Sequence, residues 1–272
     1  MPSFSARPQH GGRRGNRGAV RVRAACGPPE LNRRAAPAAR QWLVAARRLL
    51  LVLTVIVAAA CVVPAFRQVA PPGMAPVPPL AASLSRIEVV AHRHKQPGYA
   101  RVNFGPGWAS AMVDGHSCTT RTRELAAHLY VPDGAGAAVA PAEVSPQCRV
   151  TGAAQDPYSG RWMASGDLRG AEPIELDHVF PLSAAWDMGA AQWDDSKRVR
   201  FANDPANLIA VTRQQNQEKS DALPAQWLPA KETHRCWYVR AVAAVAAEYG
   251  LALSAADVAV ARRVCWAEQL WQ

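Results

Sequence analysis

The chain has 272 residues, six cysteines and a formal net charge of +10. Eleven arginines and a single acid, Glu30, fall in residues 1–48, which leaves twenty basic and twenty acidic residues in 49–272. This excludes a folded part that binds nucleic acid by bulk charge, because the whole excess sits in one N-terminal segment.

In chain order, residues 1–48 are rich in Gly, Pro and Arg and read as a basic, disordered cytoplasmic segment. Residues 49–66 form an apolar run broken by Thr54 alone before Pro64. A basic flank followed by such a run is the layout of a signal peptide or a membrane anchor. A bilayer span needs roughly twenty residues, so a cleaved leader and a membrane tether both stay open. Either way the arginine excess places everything after Phe66 outside, secreted or anchored with the folded domain extracellular. Residues 67–83 hold Pro71, Pro72, Pro76, Pro78 and Pro79 and read as a stiff linker. Residues 84–272 form the folded domain.

Within that domain, Ile87–Ala91 and Arg149–Thr151 read as strands, Thr120–Leu129 as a short helix and Gly134–Pro141 as a loop. Trp108 suits a core position or a cap over a site, and His92 and His94 a flexible surface pair. Asp156–Gly160, Asp-Pro-Tyr-Ser-Gly, is a tight turn. Ile174–Phe180 is a strand ended by Pro181. Ser183–Trp193 and Asp195–Phe201 are helical, Asn207–Val211 is a strand, and Thr212 caps a helix to Lys219. Thr233 caps a helix that Gly250 ends, with Tyr238, Val242, Val245 and Tyr249 on one face. Ser254 caps a second helix, making an antiparallel hairpin. Cys236 and Cys265 lie about equally far from its turn, so a Cys236–Cys265 disulfide fits, and Cys118–Cys148 follows by elimination.

Chemistry concentrates in Asp177-His178-Val179-Phe180-Pro181-Leu182 and the two segments after it. Asp177 supplies a hard oxygen ligand and Asn216 a neutral amide oxygen, a donor pair suited to Mg²⁺ or another divalent ion such as Mn²⁺. Neighbouring strand residues face opposite sides, so His178 is directed away from Asp177 and can act as general base on a water. Asn207 can accept the imidazole N–H and fix its tautomer. Lys219 sits one helical turn beyond Asn216 and reads as a phosphate contact or a solvated lysine. Arg121 reads as a phosphate contact or the partner of an acid such as Glu124.

These segments, with Phe201-Ala202-Asn203-Asp204 and Asn216-Gln217-Glu218-Lys219-Ser220-Asp221, resemble the HNH endonucleases, more narrowly exported bacterial members. The resemblance runs from about Tyr99 to Cys265 and takes in Cys118-Thr119-Thr120-Arg121, Asp156–Gly160, Trp227, Pro229 and Cys236. It implies an α+β fold: a ββα-metal core with an extra N-terminal α/β segment and a C-terminal helical hairpin. It also implies divalent-metal-dependent cleavage of DNA or RNA, with no small-molecule cofactor. By the motif, His178 maps to the base, Asp177 to a metal ligand, Asn207 to the middle Asn and Asn216 to the last position, where the motif's name has His. Upstream, Tyr99-Ala100-Arg101 and Ser117-Cys118-Thr119-Thr120-Arg121 each lack an acid that the family pattern carries. The alternative is a non-catalytic, disulfide-braced surface domain that binds a partner on the same scaffold.

Overall fold

The structure, a computed structural model, describes residues 35–65, 70–71, 73–133, 138–165 and 172–266. Most of the basic segment, the start of the linker and the first half of the expected 134–141 loop lie outside the described residues.

Helix α1, Ala35–Ala65, takes in most of the apolar run and belongs largely to a unit of its own. Among the described residues no helix is long and apolar enough to cross a membrane, so the tether expected through 49–66 has no support from it.

The larger unit is α+β. It opens earlier than the proline content suggests. Helix α2, Leu80–Leu84, buries Leu80 against the core. Arg240 donates to the carbonyl of Pro78 at 2.9 Å and to that of Val77. The second half of the expected linker is thus part of the domain. Strand β1, Val89–Val90, follows, then a single 3-10 turn, Arg101–Phe104. Strands β2 (Ser110–Val113) and β3 (His116–Thr119) pair as a hairpin, and α3, Thr120–His128, starts from the Thr119 side-chain cap. Strands β4 (Tyr130–Pro132), β5 (Ala138–Pro141), β6 (Glu143–Val144), β7 (Val150–Gln155) and β8 (Trp162–Ser165) form a five-stranded sheet.

Next comes the part that positions the site. Strand β9, Ile174–His178, precedes α4, Leu182–Asp187. The helix expected to reach Trp193 breaks at Gly189, whose φ of +136° no ordinary helix admits. Helix α5, Asp195–Asn203, is capped by Asp194, which accepts from Lys197 N at 2.7 Å. Strand β10, Leu208–Thr212, pairs antiparallel with β9, setting Leu208 opposite His178 and Ile209 opposite Asp177. Thr212 caps α6, Arg213–Lys219, at once, so two paired strands lead straight into a helix. Alternation along β10 sends Ile209 and Val211 into the main core and Ala210 into a smaller one with Leu125, Val150 and Met163.

Helix α7, Arg235–Tyr249, runs through the main core; it opens from a 3-10 turn without a side-chain cap, so Thr233 does not serve as one. Gly250, at φ +69°, ends it as expected. Strand β11, Leu253–Ser254, pairs with β1, and Ser254 and Asp257 form a capping box at the start of α8, Ala255–Val264. Both expected disulfides, Cys118–Cys148 and Cys236–Cys265, are present.

Candidate active site at the β9–β10–α6 junction

Asp177 and His178 diverge, as adjacent strand residues should. Asp177 is turned to the core side. Lys219 Nζ lies 2.9 Å from its Oδ2 and 3.1 Å from Oδ1, and the Tyr158 hydroxyl donates to Oδ2 at 2.8 Å. Lys219 also donates to the His178 carbonyl at 2.8 Å. The lysine side chain is 0% exposed, so it cannot reach a phosphate: the expected phosphate contact is instead a buried counter-ion. Burial pushes the Asp177 carboxyl up, against the downward pull of the Lys219 ammonium.

The turn at Asp156 explains how Tyr158 arrives there. Asp156 is wholly buried and accepts from Tyr158 N, Ser159 Oγ and Thr212 Oγ1 at 2.7–2.8 Å. One carboxylate therefore ties the turn to the first residue before α6 and aims Tyr158 at Asp177. Sequence reasoning saw this segment only as a turn, although Asp-Pro-Tyr-Ser-Gly marked it.

His178 faces the other way. Its Nε2 lies 2.9 Å from the Ala202 carbonyl on α5, which can only accept, so Nε2 carries the hydrogen and a neutral ring keeps a lone pair on Nδ1. Trp108 stacks on the ring, with centroids 5.6 Å apart and planes 14° from parallel. Asn203 Oδ1 accepts from Ala109 N at 2.8 Å and so holds Trp108 in place as a cap. Burial lowers the His178 pKa to about 4; the Ala202 bond pulls it up, and Arg101 and Lys219 push it further down.

Asn207 does not orient the imidazole. Its Oδ1 accepts from Phe180 N at 2.7 Å and its Nδ2 donates to Phe180 O at 3.3 Å, with the side chain fully buried. It staples the loop after β9, and the task expected of it falls to the Ala202 carbonyl. Asn216 donates from Nδ2 to Glu175 Oε2 at 2.7 Å, which leaves its Oδ1 as the uncommitted atom. Arg121 is exposed on α3 outside the cleft; Glu124 pairs at 2.8 Å with Arg123 instead.

A cleft of about 420 Å³ collects Asp177, His178 and Asn216 with Tyr99, Arg101 and Asp221 in its wall. Tyr99 and Arg101 were noticed in the sequence only as part of a motif lacking an acid. The Asp177 carboxylate already accepts from Lys219 Nζ at both oxygens, the Tyr158 hydroxyl and the His178 backbone N–H, so a cation there would displace one of them, whereas Asn216 Oδ1 is open. Two oxygens fit a hard cation that retains most of its waters. Among the described residues no group of three or more His, Cys, Asp or Glu gathers to hold a metal.

Residues 150–255 match the family described as GmrSD restriction endonucleases, C-terminal domain. An uncharacterized secreted protein of Arthroderma benhamiae is 35% identical over 206 residues, which cover 72% of this chain and 91% of that protein. The chain belongs to the family of this secreted protein. The domain match supports a nuclease-like family in general and does not specify the HNH type. No solved structure matches the chain.

Proposed function

We propose that the chain is an exported, divalent-metal-dependent endonuclease of the HNH type that hydrolyses phosphodiester bonds of DNA or RNA, with His178 as the general base. The observation that carries this reading is the pose of His178: ring plane set by Trp108, Nε2–H committed to Ala202, and Nδ1 left to take a proton at a cleft that also holds Asp177 and Asn216. A phosphodiester anion beside the ring favours imidazolium and moves the pKa up from about 4 toward the operating pH. Asp177 and Asn216 would hold the ion, Mg²⁺ or Mn²⁺, which when bound offsets negative charge on the attacked phosphate and the leaving oxygen. Lys219 and Tyr158 fix the carboxylate, and Asn207 fixes the backbone that carries the imidazole. Export is supported by the basic flank and apolar run of the sequence and by the secreted relative.

One observation favours the non-catalytic reading: Lys219 already neutralises Asp177. A single assay separates the two. The full chain should nick plasmid DNA or cut RNA with Mg²⁺ or Mn²⁺ and stop when a chelator is added. No cleavage of either nucleic acid with any divalent ion overturns the nuclease reading.

A further inference from the structure

Charge around the cleft cancels almost completely. Lys219 pairs with Asp177 beneath it. Lys95 lies 2.8 Å from Asp221, and Arg93 lies 2.7 Å from Asp187 and 2.8 Å from Asp221 at the rim. Arg213 pairs with Glu175 at 3.0 Å. Arg101 is the one Lys or Arg among the residues that line the cleft, and it also lines the smaller hollow of about 90 Å³ under Trp108, so it stands on both sides of His178. Its side chain is exposed and has no ion-pair partner among the described residues.

The backbone beneath it is held from several directions. Asp187 Oδ1 accepts from Gln96 N at 2.8 Å, and Trp186 Nε1 donates to the Pro97 carbonyl at 3.1 Å. Asn103 Nδ2 donates to Gly98 O at 3.0 Å, and Arg198 Nε donates to Asn103 O at 3.0 Å. Phe104, 2% exposed, closes the turn against Phe201. The fixed turn removes the backbone share of the cost of meeting an anion and leaves the rotamer freedom of the side chain to be lost on binding. Tyr99, on the same wall, is half-exposed and braced edge-on by Trp186 at 6.3 Å. Both residues lie outside the residues 150–255 that the family match covers.

The geometry points to Arg101 as the residue that grips the phosphodiester at His178, by one phosphate, on an unpaired strand whose neighbouring base rests on Tyr99. This rests on the nuclease reading for the identity of the anion. A duplex binder draws its affinity from many phosphates and shows a steep salt dependence. A cleft with one uncompensated cation and an aromatic wall suits a single strand, whose bases offer faces for stacking.

The test is binding of a short oligothymidylate to the full chain in chelator, where no cleavage occurs, followed by tryptophan fluorescence across a salt series. The eleven arginines of residues 1–48 also draw the strand, so the share of Arg101 is read as a difference between variant and wild type, about 0.7 in the slope of log K against log salt for one phosphate on a single strand. Arg101→Gln should make the slope shallower by that amount and weaken binding at low salt about tenfold. Arg101→Lys should keep the slope and recover only part of the affinity. Tyr99→Ala should weaken binding without changing the slope. An Arg101→Gln change in slope equivalent to three or more phosphates, a larger Arg101→Gln effect on the matching duplex than on the single strand, no binding at all, or an Arg101→Gln variant that binds like wild type overturns the proposal. Cleavage in Mg²⁺ or Mn²⁺ is read separately. Cleavage with an indifferent Arg101→Gln variant keeps the nuclease reading and sinks this one. An Arg101-dependent slope without cleavage does the reverse.

Discussion

Lys219 Nζ lies 2.9 Å from Asp177 Oδ2, with the lysine side chain 0% and the aspartate side chain 6% exposed. Removing one member of such a pair leaves the other charge buried without compensation, which costs about 3–5 kcal/mol. Lys219→Met should lower the unfolding free energy in urea by that amount. Adding Asp177→Asn should restore much of the stability and none of the cleavage.

His178→Ala should reduce cleavage by about two to four orders of magnitude, the range for loss of a positioned base, while Mn²⁺ binding persists. A variant that cuts like wild type would remove His178 from the reaction.

The same ring makes stability depend on pH. The unfolded chain takes up this proton near 6.5, and the folded chain only near 4. Neutral His178 therefore contributes stability that is fully present above pH 6.5 and is lost as pH falls toward 4. In chelator, wild type should lose more unfolding free energy between pH 7.5 and 4.5 than His178→Ala does. Equal losses would contradict the burial of the neutral ring.

Asn207→Ala strips a partner from both the N–H and the C=O of Phe180. Each unpaired buried group costs about 1–3 kcal/mol, so stability and cleavage should fall together. A residue that only oriented the imidazole would lose cleavage alone, which thermal unfolding beside kinetics distinguishes.

Glu175 holds the Asn216 amide through Nδ2. Glu175→Ala, which removes the acceptor, should weaken Mn²⁺ binding or cleavage about 10–100-fold, the usual cost of losing a partner that orients a metal ligand. Calorimetric titration with Mn²⁺ measures it, and unchanged affinity and rate would detach Asn216 from the metal.

Local chemistry made much of this legible. Pro181 and the Thr212 cap bounded the two strands and the helix of the site, and the hairpin turn at Gly250 placed Cys236 beside Cys265. Long-range contacts were not legible. Nothing near Lys219 in sequence says that its helix turns that position into the core, because the partner Asp177 is 42 residues away. The stapling by Asn207 and the Ala202 bond depend on how the loop after β9 meets α5, a tertiary fact. The five-stranded sheet was mostly missed, since strands of two to six residues carry too few alternations to read.

The proline-rich approach to the domain has a practical consequence. Met74 and Val77 pack against the main core, Met74–Pro78 wall a cavity together with Trp237 and Val245 on α7, and Leu80 is only 4% exposed. Protease trimming that stops before residue 73 should leave a cooperatively melting body. Trimming to residue 84 uncovers an apolar flank of α7 and should yield a particle that self-associates, so the hydrodynamic size of the two fragments marks where the domain begins.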